Sequence, residues 1–396
     1  MPRFAEAPAL AGIDAGAVRR RLWSRMSANL WVALALWLGS NLFTYGIANF
    51  ATWEGAAHYG RMKDLCLWDC RWYQSIVEFG YFHSITEARA THPEHQDWVA
   101  VNWPFYPLFP MTASGLRKVF RLSPAGSLVL AGKLELLLAI YAFLLMLSGE
   151  LETTEDRVRA GSLVAFNPYL IYAHAGYSEP LYFTLIALSF YFARRSRWLA
   201  AGAMGGLASA TRVTGFLFSI SYLLEWLRAQ EGRLSWRALD RKAVIGLLLC
   251  PLGMALFVLH LRARVGDALA FQQAEISWGR WLGNPISTLI LCFQQTRLHW
   301  PPVWAVMVIA ACLVSLWLFK LGKPEMGTYL ALVLLLATST GYWSVARYIW
   351  WQPPFLYAIY RLLRRNAGAW LIYSALAAGM AAFMVLEWFS GHNFVV

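Results

Sequence analysis

The run Leu67-Trp68-Asp69-Cys70-Arg71-Trp72-Tyr73 holds a carboxylate among aromatic side chains. On a helix, Trp68, Trp72, Ile76 and Phe79 share one stripe, suited to lying in a membrane interface. Asp69 then has Leu65, Cys66, Trp72 and Tyr73 three and four positions away, none of them cationic. A poorly solvated carboxylate is suited to take a proton from an attacking hydroxyl. The alternative is a helix-surface acid that faces water or a single arginine. A second carboxylate, Glu179, interrupts an apolar region in Ala173-His174-Ala175-Gly176-Tyr177-Ser178-Glu179-Pro180-Leu181. Ser178 as N-cap, Pro180 in the first turn and Glu179 on the helix dipole give a sufficient local account. An ionisable residue at membrane depth is also a candidate functional group.

Cations complete the set. Arg212 in Thr211-Arg212-Val213-Thr214-Gly215 and Arg347 beside Tyr348 fall at predicted helix ends, and Lys133 lies inside a span with Glu135. A guanidinium matches phosphate oxygens as a planar fork. Snorkelling to lipid head groups competes for the arginines, and pairing within the bundle competes for Lys133. Phe271-Gln272-Gln273 and Trp278-Gly279-Arg280-Trp281 have the aromatic and amide composition that sugar binding uses, as do interfacial loops in general. Asn102-Trp103-Pro104-Phe105-Tyr106-Pro107-Leu108-Phe109-Pro110 reads as a stiff cap before the next membrane helix. His92 and His95 form a weak metal pair without a third partner of clear spacing. No Asp-x-Asp, phosphate-binding glycine loop or Gly-x-Ser-x-Gly elbow is present. Cys66 and Cys70, four apart, suit one helix face better than a disulfide, and the other three cysteines sit in apolar runs.

These residues must be positioned by membrane helices. Of 396 residues, 59% are hydrophobic and 14% charged, too apolar for a soluble domain and too poorly charged for disorder, coiled coil or nucleic-acid binding. Apolar runs predict an all-α polytopic bundle of about 9–11 spans near 28–50, 125–148, 160–176, 178–193, 198–211, 213–228, 243–262, 302–319, 325–343, 348–360 and 368–389. Several are short, so broken or re-entrant helices are expected among them. Residues 1–27 read as a cytoplasmic segment and 28–396 as one membrane domain, with long extracytoplasmic loops at 51–124 and 263–300. Alternating spans from an inside N-terminus places twenty of the 34 Lys and Arg in inside segments. That satisfies the positive-inside rule, so the net charge of +12 needs no nucleic-acid partner. No internal repeat of the transporter kind is visible.

The order Trp68-Asp69-x3-Tyr73-x2-Ile76-x3-Gly80-Tyr81, Pro104-x-Tyr106-Pro107, Tyr177-Ser178-Glu179-x-Leu181 and Arg212-x-Thr214-Gly215 resembles the PIG-V family of GT-C mannosyltransferases. The segment from Gly266-Asp267 through Gln273, Trp278, Arg280 and Pro285, and Arg347-Tyr348 followed by Pro353, resemble its bacterial members. Cys70-Arg71 and Pro180 depart from the usual pattern. The resemblance implies an inverting enzyme of the inner or plasma membrane that moves a hexose, mannose foremost, from a polyprenyl-phosphate carrier to a lipid or glycolipid. It implies Asp69 as general base. Arg212, Arg347 or Lys133 would meet the phosphate. Trp68, Tyr73, Tyr177, Ser178, Glu179, Gln273, Trp278, Arg280 and Tyr348 would contact substrate. No obligatory metal is expected. The rivals are a transferase with another sugar or a protein acceptor, and a lipid or polysaccharide flippase.

Overall fold

A computed structural model describes residues 15–53, 65–91, 101–230, 240–276, 279–295 and 300–390. Among them the chain is entirely helical, without strands. In order, the helices are α1 (Ala15–Trp53), α2 (Asp69–Phe79), α3 (Ile85–Thr91), α4 (Leu108–Phe120), α5 (Pro124–Met146), α6 (Thr154–Ala165) and α7 (Ile171–His174). Then come α8 (Glu179–Ala193), α9 (Trp198–Ser209), α10 (Phe218–Ala229), α11 (Arg241–Leu249), α12 (Leu252–Val265) and α13 (Ala270–Glu275). The last are α14 (Pro285–Gln294), α15 (Trp300–Lys320), α16 (Pro324–Ser339), α17 (Val345–Trp350), α18 (Pro353–Leu363) and α19 (Ala367–Ser390).

The fold is a membrane helical bundle. Met26–Ala51, Pro124–Met146, Trp300–Lys320 and Ala367–Ser390 are long and apolar enough to cross a bilayer, and α11 with α12, bent by 43°, makes a fifth candidate. The other expected spans are shorter than predicted. The 160–176 run breaks at Asn167-Pro168 into α6 and α7, and the 348–360 run breaks at Gln352-Pro353 between α17 and α18. Thr211 and Arg212 end α9, and Val213–Leu217 is a 3₁₀ turn before α10. Proline lacks the N–H that would continue a helix, so such breaks place polar residues at the ends of short helices rather than within them.

Helix α5 is central, packed on α1, α4, α6 and α8, and α8 packs on α9. Helices α9, α11 and α12 approach through small residues. A Cβ on Gly202 would lie 2.0 Å from the Gly246 carbonyl oxygen, and one on Gly253 would lie 2.1 Å from that of Gly206. The described residues of the 51–124 segment fold onto the bundle. Tyr81, Phe82, Trp103 and Tyr106 form a second small core with Phe257 and Leu261 of α12 and Ala270 and Ala274 of α13. The 263–300 segment is more than a loop, since α14 is an apolar helix set against α15 and α16.

Several helices carry one cluster of charge at each end. Helix α8 runs from Glu179 to Ala193, about 22 Å at the usual rise. At its far end Arg194 meets Glu325 at 3.4 Å, and Arg228 meets the same carboxylate at 3.3 Å. Arg361 and Arg364 hold Glu150 at 2.9 and 3.6 Å, and Arg159 donates to the Arg364 carbonyl. Basic residues from three separate stretches of sequence thus come together by pairing with two acids.

Candidate active site

At the other end, the start of α8, the end of α9, α2, α13 and α17 surround a cavity of about 1160 Å³. Asp69 opens α2 and pairs with Arg347 of α17, Oδ2 to Nη1 at 3.0 Å. The expected cation-free ring of aromatics is thereby corrected, because position 347 supplies a charge that helix spacing around Asp69 could not reveal. Arg347 also reaches Glu179 through Nε at 3.2 Å, and Arg212 reaches the same carboxylate oxygen at 2.7 Å. Glu179 and Arg347 side chains are 2% and 4% exposed, whereas Asp69 is 29% exposed, so the aspartate is the more accessible of the two acids.

Ser178 does not cap α8 with its side chain. Its hydroxyl instead receives Tyr73 Oη at 3.0 Å and Arg212 Nη1 at 3.4 Å, which ties α2 to α8 beside the ion pairs. Tyr177 Oη accepts from the Asp69 backbone N–H and donates to the Leu67 carbonyl, both at 3.2 Å. Three guanidinium groups converge on Tyr348. Arg280 donates to its hydroxyl at 3.0 Å, Arg347 does so at 3.5 Å, and Arg212 lies 4.6 Å from its ring centroid. Arg280 is further held by the Trp343 carbonyl, Ser344 Oγ and, at 3.8 Å, Glu275. Burial raises the Glu275 carboxyl above its ordinary range despite Arg280.

Asp69, Tyr73, Tyr177, Glu179, Arg212, Arg280, Arg347, Tyr348 and Trp68 all line the cavity. Lys133 does not. Its carbonyl accepts from the Trp37 indole of α1, because that stretch of α5 is turned to α1 rather than to the cavity. Gln273 is exposed and absent from the lining. Ala270 and Ala274 pack α13 onto the second core, which turns Gln272 and Glu275 inward instead. Trp278, His92 and His95 lie outside the described residues. Pro104, Phe105 and Tyr106, read from sequence as a cap, also line the cavity.

Two features depart from the helix expected over Leu67–Tyr81. Trp68 stays outside α2 at φ 46°, a backbone region costing roughly 1–3 kcal/mol unless its surroundings fix it. Its ring meets Trp388 of α19 edge-to-face at 4.6 Å. Cys66 therefore precedes the helix, and the turn brings its Cα within 5.0 Å of that of Cys70, where the two form a disulfide. Gln352 was not singled out by sequence. Its amide nitrogen is fixed to the Tyr348 carbonyl at 2.9 Å, while its oxygen has no partner among the described residues and the residue lines the cavity. Among the described residues no three His, Cys, Asp or Glu side chains gather as metal ligands.

No protein-family model matches the sequence, and no curated protein matches it significantly. Solved structures do share its fold. ArnT from Cupriavidus metallidurans bound to undecaprenyl phosphate matches with a TM-score of 0.51 at 15% identity, over 89% of this chain and 63% of that one. The Archaeoglobus fulgidus oligosaccharyltransferase in its apo form has a TM-score of 0.48 at 12% identity, over 91% of this chain and 56% of that one. The chain thus spans less than two thirds of the length of these structures. The fold shared with ArnT is an all-helical membrane bundle.

Proposed function

We propose that the chain is an integral-membrane glycosyltransferase that moves a hexose from a polyprenyl-phosphate donor to a lipid or glycolipid acceptor. The observation that carries this reading is Asp69, a partly exposed carboxylate lining the cavity and ion-paired at 3.0 Å to one of the three arginines that meet at Tyr348. ArnT, which shares the fold, was crystallised with undecaprenyl phosphate, a ligand whose charge suits such a group. The PIG-V-like order of motifs is what points to mannose.

The acceptor hydroxyl attacks the anomeric carbon while Asp69 takes its proton. The bond from that carbon to the phosphate oxygen breaks on the opposite face, with inversion, and the polyprenyl phosphate leaves with the electron pair. Arg212, Arg280 and Arg347 would stabilise the charge growing on that phosphate. Arg347 has a further part. Before donor binding its Nη1 occupies Asp69; a donor phosphate competes for that guanidinium and frees the carboxylate to act as base. Glu179 stays between Arg212 and Arg347 and keeps both forks aimed at the cavity. The residues require no metal for this chemistry.

Orientation is part of the proposal. The site end faces the extracytoplasmic side, the N-terminus is cytoplasmic, and the membrane is the inner or plasma membrane. The basic segments gathered at the opposite end support this under the positive-inside rule, and a disulfide beside Asp69 suits an oxidising compartment. The test is to incubate purified protein with radiolabelled polyprenyl-phosphate mannose, then other sugars, and a membrane lipid extract. Transfer is expected with at least one pairing, and no transfer under any pairing overturns the reading.

A further inference from the structure

The ring closed by the disulfide contains Cys66, Leu67, Trp68, Asp69 and Cys70, so the proposed base is held inside it. The turn is one that its sequence does not favour, because Trp68 at φ 46° has a bulky side chain where backbone sterics prefer glycine. Cys70 is wholly buried and is seated on Gly176, where a Cβ would lie 2.8 Å from Cys70 Sγ; that residue is itself at φ +74°. Glycine is required there for both reasons. Tyr177 Oη then spans the ring from the Leu67 carbonyl to the Asp69 amide. The bridge, Tyr177 and Trp388 together hold a turn that would otherwise relax. None of Arg212, Arg280 and Arg347 belongs to the ring.

We infer that the Cys66–Cys70 disulfide is a positioning device, which fixes the Trp68 turn and so sets the reach of Asp69 toward the acceptor. The kinetic part of this inference rests on the glycosyltransferase reading, and the structural part does not. The bridge forms when two thiols pass two electrons and two protons to a disulfide-exchange partner, and a phosphine or thiol reductant reverses it. With the bridge open, Trp68 can return to negative φ, which turns the peptide leading into Asp69 and displaces its carboxylate. A misplacement of about 1 Å can cost about 10²-fold in rate. The expected effect is therefore a fall in kcat of about ten- to a hundredfold with a smaller change in donor KM, because of the phosphate-facing arginines only Arg347 pairs with Asp69.

Three measurements test this. First, alkylation of the denatured, unreduced protein should tag Cys250, Cys292 and Cys312 and spare the other two cysteines, while reduction should make all five reactive. Second, hydrogen exchange across residues 65–79 should quicken when native protein is reduced with a phosphine, and slow again on reoxidation. Third, kcat and donor KM should be compared for wild type, reduced wild type and Cys66→Ala, which opens the bridge without a reductant having to reach buried Cys70. Five tags without reduction overturn the inference, as does unchanged exchange in both the reduced protein and Cys66→Ala. Active wild type with an unchanged kcat in the open forms also overturns it. If wild type transfers no sugar but exchange still responds to the bridge, the positioning stands and the transferase reading falls.

Discussion

Glu179 and Glu325 are both buried carboxylates, 2% and 1% exposed at the side chain, and each is held between two arginines. They differ in what lies beyond the pair. Glu179, with Arg212 and Arg347, opens onto the large cavity beside Asp69, whereas Glu325, Arg194 and Arg228 do not line it. The two are joined by helices. Glu179 starts α8, which ends at Arg194's cluster, and Glu325 starts α16, whose far end reaches the cavity at Ala337. Midway, the Tyr182 and Tyr329 hydroxyls bond to each other across α8 and α16. The same chemical unit thus serves as a clasp at one end and as an arginine holder at the other. A buried ion pair by itself is weak evidence for function, and its opening to a cavity makes the difference.

The largest separation between the two ends should come from Asp69→Asn. It keeps the size and removes the proposed base, so transfer should fall about 10²–10⁴-fold with folding intact, measured as kcat beside a thermal melt. Activity near wild type would reduce the cavity end to a second clasp.

Next, Glu179→Gln removes a carboxylate from buried Arg347 and from Arg212, a change of the kind that costs roughly 3–5 kcal/mol, and Glu325→Gln removes one from Arg194 and the half-exposed Arg228, which should cost less. A polyprenyl phosphate should restore much of the lost melting temperature in Glu179→Gln, because its phosphate can pair with Arg212 and Arg347. It should restore none in Glu325→Gln. Equal rescue of both would erase the distinction.

Arg347→Ala and Arg212→Ala come third. Truncating one partner of a buried charged pair costs about 2–5 kcal/mol, so donor KM should rise by at least tenfold. Lysine should recover only part, since an ammonium lacks the bidentate fork. Unchanged donor KM and kcat in both alanine variants would take these arginines out of the site.

The smallest effect is expected from Arg228→Ala. Its side chain is 50% exposed, and an exposed pair contributes about 0–1 kcal/mol. Yield and melting temperature should shift little and donor KM not at all. A cysteine-labelling experiment fixes which end faces out: with an impermeant reagent on intact cells, Arg89→Cys should label and Arg237→Cys should not.

Much of the cavity end was legible in the sequence, because Asp69, Glu179, Arg212, Arg280, Arg347 and Tyr348 each interrupt apolar surroundings where a charge or phenol is costly. The pairings were not. Asp69 and Arg347 are 278 positions apart, and no periodicity reports that they meet. Ser178 looked like a helix cap because its local sequence is a good one, and tertiary hydrogen bonds to Tyr73 and Arg212 took precedence. Gln272 rather than Gln273 faces inward because packing of Ala270 and Ala274 sets the rotation of α13, and six residues are too few to show an amphipathic pattern. Cys66 and Cys70 bridge because α2 begins only at Asp69, which leaves Cys66 in the turn before the helix rather than on one helical face with Cys70. The membrane bundle followed from composition; the breaks beside α6 and α18 carry a proline that marks them, at Asn167-Pro168 and Gln352-Pro353, whereas the end of α9 at Ser209 does not.

The contact between Trp68 and Trp388 has a consequence for the order in which the protein is made. Trp388 is wholly buried near the end of α19 and touches Trp68, Tyr172 and Tyr177. Every charged group of the site is translated before it. A nascent chain could therefore have Asp69, Glu179 and all three arginines already inserted while the turn that presents the aspartate still lacks its last support. Completion of the cavity would then be timed by the docking of α19, and a ligand in the membrane would meet a finished site only after synthesis has passed that helix.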